Sequence, residues 1–389
     1  MKYSDRIKNQ KIGLVRKFTD EANKLPYNDK IFLSIGVPDM ESIDYLHDGV
    51  NEAFEKGYTR YTPTAGMDIV RETIAGQYKN RKTAYPISKD NILLTAGSQE
   101  AIFLLALATL DKGDEVIIIS PAFFSFKRCS TIMGAKCIEI SYKVEDGKYF
   151  LPLEDIKANI NENTRYIYVN SPNNPSGALS SREELRELSK IADKNGIYIV
   201  SDEVYKDYVY NGKFHSTIEF SDKTIVVDSI SKSFSATGFR IGWLLADKDI
   251  IEKLLPAHQQ ILFSISSLNQ YAVHYAMNKE DIQEKVSQRI DIFKERHDLV
   301  YKRLNKMQGI ECPVSEGAFY LLPRLKPEIS INGTDFCYKL MYEKRVILIP
   351  GIDFGASFEN HIRIAYTQDI KLLSEAMDRM ELFVNDLIG

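Results

Sequence analysis

Tyr166-Ile167-Tyr168-Val169-Asn170-Ser171-Pro172-Asn173-Asn174-Pro175-Ser176-Gly177 opens a passage that closes on Ile197-Tyr198-Ile199-Val200-Ser201-Asp202. Each end begins with a short run of β-branched and aromatic residues, the composition of a buried strand, and passes into polar or turn-forming residues. Between them Leu185, Leu188, Ile191 and Ala192 recur at helical spacing over 181–195, with Ser180 or Ser181 as cap and Gly196 as stop. Strand and helix alternate in the same way from about 91 to 247, where Glu115-Val116-Ile117-Ile118-Ile119 is a further strand. The pattern predicts an α/β fold whose large domain has a mostly parallel, doubly wound sheet flanked by helices. Ligands would bind at the carboxyl ends of its strands.

After this region the pattern changes. A long helical stretch is expected from 249 to about 307, then strands at 318–322, 346–349 and 361–366, with helices near 334–344 and at the end of the chain. This reads as a second, smaller α+β domain. The expected divisions are an N-terminal segment, 1–45, that joins the small domain, a large domain, 46–285, and the small domain itself, 286–389. No internal repeat or low-complexity tract is present.

The 389 residues are 44% hydrophobic, enough for a large core, and carry a formal net charge of -4 from 54 acidic and 50 basic side chains. That balance offers no cationic footprint for nucleic acid or an anionic membrane, which favours small-molecule chemistry. No apolar run approaches the roughly 18 residues of a membrane span, and Met1-Lys2-Tyr3-Ser4-Asp5-Arg6 lacks a signal-peptide core, so a soluble cytoplasmic protein is expected. Cys129, Cys137, Cys312 and Cys337 have no metal-ligand or redox spacing and read as buried thiols in a reducing compartment; no metal site is expected.

The chemistry-bearing residues fall at the predicted strand ends. Ser229-Ile230-Ser231-Lys232-Ser233 precedes Gly238-Phe239-Arg240-Ile241-Gly242, and a lysine among hydroxyls ahead of an arginine suits a Schiff-base nucleophile beside a phosphate clamp. A solvated surface lysine is the competing view. Gly97-Ser98-Gln99, between a short strand and an apolar helix, could bind an anion on free helix amides or merely cap the helix. The prolines around Asn174 are explained by a tight turn, but its carboxamide at a strand end would also present a donor to a ligand. Asp202, ending a buried strand, needs a cation: a ligand or a structural salt bridge.

Taken in order, Gly36-x-Pro38-Asp39, Tyr61-x-Pro63-x-x-Gly66, Gly97-Ser98-Gln99, Asn174-Pro175-x-Gly177, Asp202-Glu203-x-Tyr205, Ser229-x-Ser231-Lys232, Arg240 and His361-Ile362-Arg363 resemble the class I and II aminotransferases over nearly the whole chain. The resemblance is to bacterial and archaeal aspartate and aromatic aminotransferases. It implies a fold type I enzyme dependent on pyridoxal 5'-phosphate.

On this resemblance Lys232 would bind the cofactor covalently and shuttle the substrate's α-proton, and Asp202 would pair with the pyridine nitrogen. Tyr205 and Asn174 would bond the phenolic oxygen. Phe123 would stack on the ring, although adjacent Phe123 and Phe124 could equally be core. Gly97, Ser98, Gln99, Ser229, Ser231 and Arg240 would hold the phosphate. Tyr61 would reach it from a second subunit, which implies a homodimer with shared active sites. Arg363 would grip the substrate carboxylate beside Asn174 and Gly36, the last being otherwise a plain turn glycine.

The substrates implied are an L-amino acid, aromatic or aspartate-like, and a 2-oxo acid, with 2-oxoglutarate the expected acceptor in a ping-pong cycle. The segment Lys11-Ile12-Gly13-Leu14-Val15-Arg16 is expected to fold over the substrate. A carbon-sulfur β-lyase on the same scaffold would use the same cofactor contacts. A non-catalytic ligand-sensing module is a further alternative; no basic helix-turn-helix pattern precedes Ile31 to support it.

Overall fold

The apolar runs quoted above become neighbouring strands of one sheet. In the computed structural model, which describes residues 1–8, 10 and 12–389, that sheet comprises β1 (Ile92–Thr95), β2 (Glu115–Ser120), β3 (Lys136–Ser141), β4 (Thr164–Asn170), β5 (Tyr198–Asp202), β6 (Thr224–Ser229) and β7 (Gly242–Leu245). Their spatial order is β1-β7-β6-β5-β4-β2-β3. Strands β2 to β6 pair in parallel, whereas β7 runs antiparallel to both β6 and β1. All the parallel strands therefore end at one edge, and β7 begins there.

Side-chain alternation sends the strands' apolar residues to both faces. Ile117, Ile119, Ile167, Val169 and Ile199 pack against Leu185, Leu188 and Ala192, while Val116, Ile118, Tyr166, Tyr168 and Val200 pack against Ile102, Leu105 and Phe126 on the other side. A sheet buried on both faces needs its crossovers to be helices. The helices used below are α1 (Leu14–Lys24), α2 (Ser98–Thr109), α3 (Phe124–Met133), α4 (Arg182–Asn195), α5 (Lys248–Leu262), α6 (Ser267–Met277) and α7 (Ile282–Leu304).

Helix α4 starts on Ser181, whose hydroxyl accepts from the Glu184 amide at 3.3 Å while the Glu184 carboxylate takes the Ser181 amide at 2.8 Å. Gly196, at φ 69°, turns the chain out of the helix.

Two expectations are corrected. The helical stretch from 249 to about 307 is not continuous but is α5, α6 and α7. Phe263 adopts φ 59° at the end of α5, Ser266 caps α6, and a second break separates α6 from α7. The strand expected at 346–349 is two: Val346–Ile347 pairs in parallel with Ile31–Phe32, and Ile349–Pro350 pairs with β9 (Ile362–Ala365). The chain changes partners at Leu348, and Pro350, lacking an amide hydrogen, cannot extend the ladder.

Strand β9 also pairs with β8 (Tyr320–Leu321), and these short strands share a core with Phe18 of α1, Ile31, Leu33, Phe319, Phe336 and Phe383. The amino-terminal segment is stitched to this layer by Leu33, whose carbonyl accepts from the Ala365 amide at 2.8 Å. Among the described residues no helix is long and apolar enough to cross a membrane. The four cysteines are unpaired thiols; Cys137 is half-buried rather than fully buried as expected.

Candidate active site

The sheet's carboxyl edge collects the loops that sequence spacing singled out. β1 leads into Gly97, Ser98 and Gln99, β2 into Phe123, β4 into Asn174, β5 into Asp202 and Tyr205, and β6 into Ser231 and Lys232. Arg240 stands two residues ahead of β7. A cavity of about 260 Å³ is lined there by Gly36, Ser98, Gln99, Phe123, Asn174, Asp202, Tyr205, Ser231, Lys232, Arg240 and Arg363.

Its charges are not neutralised by the protein. Asp202 is 3% exposed, and the only hydrogen bond to its carboxylate among the described residues comes from the Val204 amide at 3.2 Å. Burial, the larger effect, pushes its pKa up to about 7, against the lowering pull of that amide. Arg363 on β9 is also 3% exposed. Its guanidinium donates to the Ser34 carbonyl and, at 3.4 Å, to Asn174 Oδ1, and lies 4.8 Å from the Tyr320 ring centroid. Neither Asp202 nor Arg363 forms an ion pair among the described residues. A buried unpaired charge costs on the order of several kcal/mol, so an acid and a cation left this way on one cavity are provision for a ligand of matching polarity.

Lys232 stands between them. Its Nζ donates to the Gly36 carbonyl at 2.8 Å, and its own carbonyl accepts from Tyr208 Oη at 2.9 Å. Burial, then the positive charge of Arg363, lowers its pKa to about 8, with Asp202 opposing. About one lysine in ten would then be neutral at pH 7, against fewer than one in a thousand for an exposed lysine.

At the opposite end, Ser98 begins α2, whose first amides have no partner within the helix. Arg240 arches over this helix start and donates to the carbonyls of Ala96 and Thr237, both at 2.9 Å. Gly97 has φ 79°, and a β-carbon on it would press into the Arg240 guanidinium. Free amides, hydroxyls from Ser98 and Ser231, and a guanidinium make a site for a doubly charged oxyanion.

The structure separates some residues that the sequence grouped. Gly97 makes room for Arg240 rather than lining the cavity. Ser229 is not in the wall either: its Oγ accepts from the Ser231 amide at 3.3 Å. The Gln99 side chain turns towards α3, where its Oε1 accepts from Ser125 Oγ at 2.5 Å. Tyr61 lies outside the cavity, 82% exposed, with its ring edge-on to Phe263 at 5.0 Å. Phe123 lines the cavity with its ring 4.5 Å from that of Phe124.

Sequence reasoning missed Tyr320, Asn170, Thr237 and the apolar residues Ile35, Phe124 and Val204 as wall members. Tyr320 matters most, because its hydroxyl bonds that of Tyr205 at 2.9 Å. Asn170 ties two strand ends: its Nδ2 donates to the Asp202 carbonyl at 3.0 Å and its Oδ1 accepts from the Asn174 amide at 2.7 Å. Its position at the end of an apolar run was the available signal. Of the amino-terminal segment, Val15 lines the cavity, and Lys11 lies outside the described residues.

Gly36 is a glycine for space, not for turning. A β-carbon there would collide with the Tyr320 ring, at 2.7 Å from its Cζ. Gly36→Ala is expected to displace Tyr320 and the carbonyl that holds Lys232, lowering stability by about 1–3 kcal/mol. Thermal unfolding together with substrate KM measures this; unchanged values would make the close approach irrelevant.

Similarity to known proteins extends over nearly the whole chain. The family described as "Aminotransferase class I and II" matches residues 28–380. An aspartate aminotransferase of Pyrococcus horikoshii is 33% identical over 381 residues, 97% of this chain and 96% of that one. Aromatic-amino-acid aminotransferase 2 of Thermococcus litoralis is 32% identical over 98% of both chains. The solved structure of Thermus thermophilus aspartate aminotransferase with maleate superposes with a TM-score of 0.93, at 28% identity, covering 98% of this chain and 99% of the other.

Proposed function

The chain belongs to the class I and II aminotransferases, and on that premise we propose that it transfers the amino group of an L-amino acid to a 2-oxo acid with pyridoxal 5'-phosphate, in alternating half-reactions. The observation that carries this reading is the triad of unneutralised groups on one cavity: Asp202, Lys232 and Arg363. The donor set fits the cofactor, with a buried acid for its ring nitrogen, an amine of lowered pKa for its aldehyde, and a helix start with Arg240 for its phosphate. When bound, the cofactor supplies an aldehyde for the amino group and a ring that withdraws electrons from the substrate's α-carbon.

Each side chain then has a task. Arg363, backed by the rings of Tyr320 and Phe354, takes the α-carboxylate by a two-point contact and fixes the direction of the Cα-H bond. Lys232 would move a proton at the substrate's α-carbon. Asp202 holds positive charge on the ring nitrogen. Asn174 and Tyr205 stand as donors to the phenolic oxygen, with Tyr320 orienting the Tyr205 hydroxyl. Phe123, in the cavity wall, would cover one ring face. Val15, Ile35 and Phe124 form an apolar wall suited to an aromatic or aliphatic side chain. Aspartate-like donors remain part of the reading, with 2-oxoglutarate as acceptor.

A second copy of the chain is part of the proposal. Tyr61 and Phe263, 82% and 51% exposed, form an apolar pair at the surface that a partner subunit would cover. The divisions at 1–45, 46–285 and 286–389 stand as the proposed domains.

The test is a panel of amino donors, each given alone to the cofactor-loaded protein and followed by absorbance, then chased with 2-oxoglutarate. Spectral conversion by donor and reversal by the 2-oxo acid is expected. Pyruvate, ammonia and sulfide from cysteine-like donors, without reversal, would make the protein a lyase instead.

A pH dependence follows from Lys232. Covalent capture of the cofactor requires a neutral amine, so its rate should rise about tenfold from pH 6 to pH 7 and level off above about pH 8. Stopped-flow absorbance measures it. A rate still climbing at pH 10 would mean an ordinary lysine.

A further inference from the structure

Two titratable groups, one with its side chain 10% exposed and one fully buried, lie against the phosphate end of the cavity without lining it. Glu100 is in the first turn of α2, just beyond Ser98 and Gln99, and His258 is a fully buried residue of α5. His258 Nε2 is 3.6 Å from Glu100 Oε2. Among the described residues, Glu100 Oε1 and both imidazole nitrogens have no hydrogen-bond partner within 3.5 Å. Buried polar atoms are usually paired, so three orphans on two facing side chains call for an explanation.

The explanation lies in Ala96. Its amide donates to Glu100 Oε2 at 3.0 Å, and its carbonyl accepts from Arg240 Nη2 at 2.9 Å. Both backbone polar groups of this residue are thus held by charged side chains, and His258, Glu100, Ala96 and Arg240 form one continuous line to the anion site. Few other titratable groups are near. Arg240 lies across Ala96, Cys129 lies beyond Gln99 on α3, and neither Glu100 nor His258 makes another ion pair among the described residues.

Resting on the reading that a phosphate sits at the start of α2, we propose that Glu100 and His258 are positioning residues for that phosphate, and that they take up one proton from solvent as it binds. An arriving dianion disfavours a carboxylate one helix turn away and favours either a neutral Glu100 or a charged His258. Burial already brings the Glu100 pKa up to about 7, with the Ala96 amide opposing, so its proton is within reach of neutral pH; burial lowers that of His258, against the raising pull of the Thr64 backbone, and leaves Glu100 as the main acceptor. Binding that takes up a proton weakens as pH rises. A whole proton would give about a tenfold loss of affinity per pH unit above pH 7, until the bound-state titration is reached.

Calorimetry of the full-length, cofactor-free protein at pH 7.5–8, in two buffers of different ionisation enthalpy, counts the protons. Pyridoxal 5'-phosphate is compared with pyridoxal, which lacks the phosphate. The wild-type protein should take up more protons with the phosphorylated compound, an excess that Glu100→Gln removes and His258→Asn reduces. The Gln side chain still accepts from the Ala96 amide, so the loop keeps its anchor. From pH 7 to pH 8.5 the dissociation constant should rise several-fold more in wild type than in Glu100→Gln. Equal proton counts for the two compounds in wild type, or an unchanged excess in Glu100→Gln, overturn the proposal while leaving the aminotransferase reading intact. Failure of the wild type to bind pyridoxal 5'-phosphate at all sinks both.

Discussion

Lys232→Ala is expected to abolish amino-group transfer, by about 10⁴-fold or more, in a protein that stays folded. The size of the loss follows from the tasks that converge on one side chain. The same amine would hold the cofactor and move the α-proton, and among the described residues no other lysine lines the cavity to replace it. The fold should survive because the Nζ makes one hydrogen bond among the described residues, to the Gly36 carbonyl. Losing that donor costs about 1 kcal/mol, partly offset by no longer burying an ionisable amine. Circular dichroism should be unchanged, while the absorbance of covalently held cofactor disappears. Reductive trapping in the wild-type protein followed by peptide mapping should place the label on Lys232; label on another lysine would refute the assignment.

What could be read from the sequence depended on how far each residue acts through its own neighbours in the chain. Asn174, Asp202 and Lys232 follow apolar runs that can only be buried strands, and parallel strands must all end at the same edge. Three separate segments therefore announce one site. Arg240 was legible from its spacing after Lys232, and it falls two residues ahead of β7, which begins at the edge where the other strands end. Tyr320 was not legible. It reaches the site through its pairing opposite Ala365 on β9 and the bond to Tyr205, contacts between segments far apart in the chain.

The side chains that turn away from the cavity do so for similarly local reasons. Ser229 and Ser231 both carry hydroxyls, but the tight turn after β6 spends the first on the amide of the second. Gln99 sits on an anion-binding helix start, yet α3 offers its side chain a hydroxyl partner in Ser125. The helix expected from 249 to about 307 is broken by the backbone at Phe263 and by the Ser266 cap, and helical periodicity alone is insensitive to either. Glu100 and His258 drew no attention because nothing in their spacing brings α2 and α5 together.

Asp202→Asn should separate function from stability in opposite directions. Turnover is expected to fall by about 10²–10³-fold, since asparagine cannot hold positive charge on the ring nitrogen and the electron-withdrawing power of the ring is lost. The cofactor-free protein should meanwhile become more stable at neutral pH. The sign comes from linkage. The folded-state pKa of Asp202, about 7, lies above the ordinary aspartate value of 3.8, so ionising this carboxyl is harder in the folded chain than in the unfolded one. Its contribution to stability is intact below pH 4 and is lost as the pH rises towards 7, a loss on the order of a few kcal/mol that asparagine avoids. Denaturant unfolding of the cofactor-free proteins should therefore show the two curves diverging between about pH 4 and pH 7 and running parallel above it. Adding pyridoxal 5'-phosphate should close the gap, because a positively charged ring nitrogen then pairs with the carboxylate in wild type only. An Asp202→Asn protein with near-normal turnover, or one destabilised at pH 7 without cofactor, would mean that this acid belongs to the scaffold and not to the ligand.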